Sequence, residues 1–324
     1  MADGQGQYPP ELQYIIVFGP DSNCTLELCP LEWSVYKYRP SLPANISFLV
    51  LLGIAALTHI YLGFRWKCIW FAVSMVLGSV YGMVGYVGRI MMHANPFRFD
   101  AFLMQVVCVT GAPVFYTAAI YVTLSQVINY FGREFSRLRP KLVYWIFIPA
   151  DILCLVLQAA GGALSTISSG SSQTGIDIAM AGLILQVVVI FCFCSLFADY
   201  MIRFFHSKHS RALEKKEKLF FVFLGAAIVL IEGRCIFRCY ELSQGYTDSD
   251  LITDEALFIG LEGVLILVSV FCLCIGHPGF IFNGAKSAAA TTGATSTSED
   301  IETSRDKAAP DQREHEVPVQ SRGP

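Results

Sequence analysis

The chain has 324 residues, of which 54% are hydrophobic and only 15% are charged, and its mean hydropathy is +0.52. Soluble domains usually carry about 25% charged residues, so this composition argues against a soluble fold and for one polytopic membrane domain with polar tails. The net charge of −3 argues against the strongly basic surface on which nucleic acids bind, so we expect no DNA or RNA partner.

Residues 1–41 form a polar N-terminal tail. They contain no apolar segment followed by a small-residue cleavage site, so we expect no removable signal peptide. The first apolar stretch after the tail would itself direct membrane insertion, and the tail would then be translocated whole.

Seven continuous apolar stretches follow the tail, and each has about 20 residues or more. A hydrocarbon core of about 30 Å requires this length of helix, because only helices and closed barrels satisfy every backbone N–H and C=O without water. The stretches do not alternate as barrel strands do. We therefore predict an all-α protein with seven transmembrane helices, at residues 42–64, 69–92, 101–128, 142–164, 175–198, 219–240 and 256–276.

The connectors between the stretches predict the orientation of the protein. Lys and Arg are concentrated after the first, third and fifth spans, whereas the connector between the fourth and fifth has none and that between the sixth and seventh carries only acids. By the positive-inside rule the N-terminus lies outside and the C-terminus in the cytoplasm. The domains are then an extracellular tail (1–41), a membrane domain (42–276) and a disordered cytoplasmic tail (277–324), to which cytoplasmic regulators are candidate partners.

Two covalent modifications are predicted in the outer tail, because it would lie in an oxidising compartment. Asn23-Cys24-Thr25 matches the acceptor sequence for N-glycosylation, and Cys24 and Cys29 are candidate disulfide partners. The other nine cysteines lie in or beside apolar stretches. Pairs of them spaced by two residues point to nearly opposite helix faces, so we predict no metal site.

Ionisable residues inside the spans are the candidate functional residues, because each costs about 2.5–3.5 kcal/mol to insert without a partner or water. On the sixth span, Arg234, Arg238 and Glu241 fall within one arc of about 60°, so Arg238 and Glu241 can pair three residues apart. Glu232 points the opposite way and must find a partner elsewhere. At about 1.5 Å per residue, this part of the span lies in the outer half of the bilayer.

Polar residues of three other spans reach a similar depth, and Asp151 lies nearer the midplane. We therefore predict a polar pocket that opens toward the outer leaflet. Its candidate ligand-binding residues are Arg89, Asp151, Gln158, Glu232, Arg234, Arg238, Glu241 and Glu262. The alternative is a structural lattice of salt bridges that fixes helix register and contacts no ligand.

Small residues and a proline predict how the helices pack. Gly78, Gly82, Gly85 and Gly88 recur at three- and four-residue intervals on the second span, and Gly161-Gly162 ends the fourth. Such residues let neighbouring backbones approach closely. Gly111 and Pro113 interrupt the third span and are expected to kink it and to free carbonyl groups there.

No catalytic template matches the chain. It lacks the GxxxxGK[ST] phosphate loop, the HExxH zinc pattern and the G-x-S-x-G elbow. An intramembrane hydrolase would need a histidine cluster within the spans, and only His59 lies inside one. We therefore expect no enzyme activity, no cofactor and no metal.

Several short motifs, in order along the spans, carry a resemblance to a known family. They are Tyr38-Arg39-Pro40-Ser41-Leu42-Pro43-Ala44-Asn45, Gly85-Tyr86-Val87-Gly88-Arg89, Asp151 with Gln158-Ala159-Ala160-Gly161-Gly162, Gly182-Leu183 with Gln186, Arg234-Cys235-Ile236-Phe237-Arg238 with Glu241 and Gln244-Gly245, and His277-Pro278-Gly279. Through these motifs, about residues 36–280 resemble the fungal lipid-translocating exporter family, also called RTA-like (resistance to aminocholesterol) proteins.

The resemblance implies a seven-span protein of the fungal plasma membrane. It also implies an association with the export of sphingoid long-chain bases, with lipid asymmetry and with resistance to toxic amphiphiles, including drugs. The candidate pocket residues that match motif positions are Arg89, Asp151, Gln158, Arg234, Arg238 and Glu241. Where the family usually carries an aspartate in the seventh span, this chain has Glu262.

Two functions fit these features, and membrane lipids or amphiphilic small molecules are the expected partners of both. The first is an exporter or translocator of lipids or toxic amphiphiles, in which Glu232 and Glu262 meet a sphingoid ammonium and Arg234 or Arg238 a phosphate. The second is a seven-span lipid sensor or receptor, which the lack of a DRY-like triplet after the third span and of an NPxxY pattern in the seventh disfavours. A homo-oligomer is a further candidate assembly.

Overall fold

The computed structural model of the chain describes residues 15–167, 173–207, 214–244 and 253–282. These residues form helices and loops and include no strand. Seven helices are long and apolar enough to cross a membrane, so the predicted all-α, seven-span fold is confirmed.

The first six helices are longer than the predicted spans, because turns at their ends extend them beyond the apolar stretches. They are α1 at Leu42–Trp66, α2 at Ile69–Ala94, α3 at Phe99–Phe131, α4 at Pro140–Ile167, α5 at Gln173–His206 and α6 at Lys215–Ser243. The seventh helix, α7, combines one α-helical turn at Glu255–Leu257, a π-helical segment at Phe258–Val264 and an α-helix at Leu265–Ile275.

Local sequence explains several helix ends. Pro43 lies in the first turn of α1, where its missing N–H costs no helical hydrogen bond. Glu214 and Glu217 form a capping box at the start of α6. α1 ends at Trp66, and Lys67, which caps it, has a left-handed backbone (φ 54°). Only Lys67 and Cys68 separate α1 from α2.

The seven helices pack in chain order as a ring, which α7 closes against α1. α3 is the most buried helix, because it contacts α2 and α4 beside it and also α6 across the ring. Large apolar side chains such as Leu57, Phe64, Trp70 and Val229 are exposed on the outer faces of the bundle. An apolar exterior is what contact with lipid requires.

The glycines of α2 lie where helices approach closely, as their spacing predicts. A Cβ added to Gly78 would lie 2.6 Å from the ring of Tyr116, and one added to Gly88 would lie 2.8 Å from the carbonyl oxygen of Ala101. Both contacts are with α3. Gly82 faces α1 instead, where Leu52 is 3.2 Å from the same point.

We call the end of the bundle at which α1 begins the amino end, and the positive-inside rule predicts that it faces outward. Residues from Ile15 onward lie over this end beside α2 and α3. Phe18 packs edge-on against Phe102, at 5.3 Å between ring centroids. Cys24 and Cys29 are joined in a disulfide that packs on Phe97.

We expect Asn23 to carry an N-linked glycan, because its side chain is exposed and the predicted orientation places it outside. Asn23→Gln in the full chain, expressed in a fungal host, should abolish a glycosidase-sensitive gel shift. The matched control is Ser47→Ala, which removes the acceptor sequence at Asn45 inside α1 and should leave the shift intact. A shift that survives Asn23→Gln, or a wild-type chain that resists glycosidase, would contradict this prediction.

The helical unit extends beyond residue 276, where the cytoplasmic tail is predicted to begin. His277 is fully buried, and the ring of Phe280 lies 5.4 Å from that of Trp66. The rest of the predicted tail, residues 283–324, lies outside the described residues, as do the connectors at 168–172, 208–213 and 245–252.

Candidate functional site

Four predicted site residues form what we call the α6–α7 charge cluster: Arg234, Arg238, Glu241 and Glu262. Arg238 NH1 lies 2.5 Å from Glu241 Oε2, one turn along α6, and 3.5 Å from Glu262 Oε1 on α7. Arg234 NH2 lies 3.7 Å from the same oxygen of Glu262. All four side chains are buried. Two guanidinium groups and two carboxylates cancel in formal charge, which lowers the cost of burying them together.

A proline in α3 supplies a further acceptor for this cluster. Pro113 has no N–H, so the carbonyl of Val109, four residues earlier, lacks its helical donor. Arg234 NH2 donates a hydrogen bond to this carbonyl at 3.0 Å. The charge cluster thereby ties α6 to both α7 and the centre of α3.

The position of Glu262 depends on the π-helical segment of α7, Phe258–Val264. A π turn changes the direction of the side chains that follow, relative to an α-helix, and such turns are frequent at functional sites. Here the π-helical segment places Glu262 in the α6–α7 charge cluster and Phe258 against Arg89. The Cζ atom of Arg89 lies 3.7 Å from the centroid of the Phe258 ring. Apart from Glu262 the seventh span is almost entirely apolar, so its sequence does not show where a π turn replaces an α turn.

Arg89 belongs to a second polar cluster, at the amino end. Its Nε donates to Asn45 Oδ1 at 3.1 Å and its NH2 to the Tyr38 hydroxyl at 3.0 Å. Its NH2 also lies 3.7 Å from Glu255 Oε1, which accepts a hydrogen bond from the Ser41 amide. The sequence predicts Arg89 as a site residue but not Glu255 as its partner. Tyr38 and Asn45 are the first and last residues of the first family motif, and that motif was the sequence feature that could have pointed to this cluster.

Two tyrosines of the N-terminal tail complete this amino-end cluster. Burial raises the pKa of Tyr36 and the pKa of Tyr38, and the nearby Arg89 only partly opposes the shift. Both hydroxyl groups therefore keep their protons at neutral pH. Tyr36 uses its proton to donate to Gln105 Oε1 on α3 at 2.6 Å.

A cavity of about 240 Å³ lies among α2 to α6 in the half of the bundle nearer the amino end. Its wall is mainly apolar, with Val106, Leu155 and Leu183 among its residues, and the predicted site residues Gln158 and Arg238 also line it. Gln158 Nε2 donates to Gln186 Oε1 at 2.8 Å. Arg238 therefore joins the cavity to the α6–α7 charge cluster.

Asp151 and Glu232 lie outside both clusters. Asp151 Oδ2 is hydrogen-bonded to the hydroxyl groups of Thr117, at 2.8 Å, and Tyr121, at 2.9 Å, between α3 and α4. Glu232 is half-buried on the face of α6 that interacts with Cys194 of α5. Among the described residues, neither carboxylate forms an ion pair.

Seven helices long and apolar enough to cross a membrane define a polytopic membrane protein, and charged clusters and a cavity lie among them. Residues 75–285 match the family described as RTA1 like protein, and the chain belongs to that family. The family membership predicted from the motifs is confirmed.

Three relatives illustrate the similarity. The sphingoid long-chain base transporter RSB1 of Saccharomyces cerevisiae is 31% identical over 285 residues, which cover 76% of this chain and 74% of the relative. The probable lipid transporter atnI of Emericella nidulans is 24% identical over 269 residues, 78% and 70% of the two chains. Protein RTM1 of Saccharomyces cerevisiae is 25% identical over 289 residues, 76% and 92% of the two chains. No solved structure matches the chain.

Proposed function

We propose that this protein translocates lipids or toxic amphiphiles across the fungal plasma membrane, with sphingoid long-chain bases as its substrate class. One relative named as a sphingoid long-chain base transporter and one named as a probable lipid transporter support this proposal. The observation that carries it is the cavity, because its wall combines apolar side chains with Gln158 and Arg238. An amphiphile has the same two-part chemistry, and ligand sites are typically apolar with a few placed polar groups.

The headgroup would bind at the polar part of the cavity, formed by Gln158 and Arg238. Arg238, whose charge Glu241 balances, can donate to a phosphate or hydroxyl, and Gln158 Oε1, which has no hydrogen-bond partner among the described residues, can accept from a sphingoid ammonium. Glu262 would act through Arg238, since it does not line the cavity, and Glu232 faces a different helix pair. The proposed headgroup site is therefore smaller than the predicted pocket of eight residues.

The structural lattice and the lipid sensor are the competing functions. The balanced charges of the α6–α7 charge cluster suit a lattice, but a lattice needs no arginine on the wall of a cavity. A sensor would bind the same amphiphile without moving it. We expect no enzyme activity, so a transported probe should be recovered chemically unchanged.

Filling the cavity should therefore stop transport. In liposomes that hold the full chain, a fluorescent long-chain base should cross the bilayer faster than in empty liposomes. Leu183→Trp should reduce this movement to the level of empty liposomes, because Leu183 lines the cavity and is only 3% exposed. Ile184→Trp is the matched control, because its neighbouring side chain is 50% exposed on the outer face of α5 and should retain transport within about twofold.

Three outcomes would count against the proposal. Full transport by Leu183→Trp would show that the cavity is not the substrate site. A wild-type chain that moves no probe would exclude translocation. Saturable probe binding without movement, lost in Leu183→Trp, would favour the sensor.

A further inference from the structure

Asp151 is a buried acid that neither charged cluster includes. It lies near the middle of the 28-residue helix α4 and is only 1% exposed. Within the described part of the chain, no Lys or Arg forms an ion pair with it. An ionised carboxylate held inside a bilayer without a cation is strongly disfavoured, so its protonation state must be explained.

Hydrogen-bond geometry at Thr117 bears on that state. The Thr117 hydroxyl lies 3.0 Å from the carbonyl oxygen of Val114 and 2.8 Å from Asp151 Oδ2. A threonine hydroxyl has one hydrogen, so it can donate to only one of these two oxygens. If it donates to Val114, it must accept a hydrogen bond from Asp151, and only the protonated acid has a hydrogen to give.

The second carboxyl oxygen supports the same state. Both hydroxyl groups of α3 that contact the acid, those of Thr117 and Tyr121, lie at Oδ2. Oδ1 is buried and has no hydrogen-bond partner among the described residues. An unpaired carbonyl oxygen of a neutral acid costs far less to bury than an unpaired oxygen of a carboxylate.

We infer that Asp151 is a proton-binding site, at which the acid donates to Thr117, Thr117 donates to Val114, and Tyr121 donates to the acid. The other titratable groups that interact with Asp151 are Tyr121 on α3, Cys154 on α4 and Cys235 on α6, and none of them is a cation. Arg234, which directly precedes Cys235 on α6, is bound to Glu262 and to the Val109 carbonyl.

The site is connected to the cavity through two helices, and this part of the inference rests on the proposed function. Thr110 and Gln158 line the cavity, and each is seven residues, about two turns, from the proton site at Thr117 and Asp151. Loss of the proton would turn the Thr117 hydrogen from Val114 to Asp151. This exchange alters the contact between α3 and α4, so substrate movement would be coupled to proton binding.

Infrared difference spectroscopy tests the proton site without reference to transport. The full chain in lipid vesicles is compared between acidic and alkaline buffer. We expect a C=O band of a protonated carboxylic acid that disappears in Asp151→Asn and persists in Glu232→Gln, the matched intramembrane acid without an ion pair. Thr117→Val should shift the frequency of the band, because the acid loses its acceptor. A wild-type spectrum that is unchanged in Asp151→Asn would overturn the inference.

Transport measured with a proton gradient in either direction tests the coupling. The rate of probe movement should change several-fold with gradient direction in the wild type and not in Asp151→Asn, and replacement of Na⁺ by K⁺ should have no effect. Dependence on Na⁺ instead of protons would overturn the coupling. If the wild type moves no probe, the proposed function fails, while the infrared band still decides whether Asp151 binds a proton.

Discussion

Glu262→Ala is expected to destabilise the membrane domain by about 3–5 kcal/mol, because it leaves the buried Arg234 without an ion-pair partner. Arg238 keeps Glu241, but Arg234 loses its one ion pair within the described residues and keeps the hydrogen bond to the Val109 carbonyl. Thermal unfolding in detergent, followed by the amount of chain that remains monodisperse, measures the loss.

Two comparisons isolate the charge effect in this prediction. Glu232→Ala removes a half-buried acid that forms no ion pair with any described residue, and it should cost far less. In a double-mutant cycle, Arg234→Met together with Glu262→Leu should recover more than about 1 kcal/mol of the summed single losses. Additive losses, or an alanine variant as stable as the wild type, would show that the cluster does not hold α6 to α7.

Gly161→Ala should be the most damaging of the small changes in the bundle. The added Cβ would lie 2.3 Å from the amide nitrogen of Ala179 and 2.6 Å from the carbonyl oxygen of Gly175, and backbone atoms of α5 cannot move aside as side chains do. We expect a cost of about 1–3 kcal/mol or more in thermal unfolding.

The next residue provides the matched control for that substitution. A Cβ at Gly162 meets no atom of the described residues within 4 Å, so Gly162→Ala should be neutral or gain up to about 1 kcal/mol from its higher helix propensity. Equal stability of the two variants would contradict the close contact between α4 and α5.

Hydropathy predicted the fold well because the bilayer imposes it. Each span needs a fixed length of apolar helix, so seven helices could be counted from the sequence alone. Their ends could not, since polar turns continue the helices without contact to lipid. α5, for example, runs from Gln173 to His206, well beyond the predicted residues 175–198.

Site residues were predictable where helical periodicity within one span was sufficient. Arg238 and Glu241 pair as their spacing predicts. Contacts between spans depend on how each helix is rotated about its axis, which one sequence does not determine. Asp151 could be named from its depth, but its partners Thr117 and Tyr121 on α3 could not. The π-helical segment that carries Glu262 could not be predicted either, because the apolar spacing of one span does not distinguish a π turn from an α turn.

The short turn between α1 and α2 constrains how the chain is made. Fully extended, the three steps from Trp66 to Ile69 span about 11 Å, far less than the roughly 30 Å of hydrocarbon. If both helices cross the membrane, they must therefore run antiparallel, because the turn between them cannot reach from one side of the membrane to the other. We expect the two helices to enter the membrane as a helical hairpin, onto which the remaining five helices assemble.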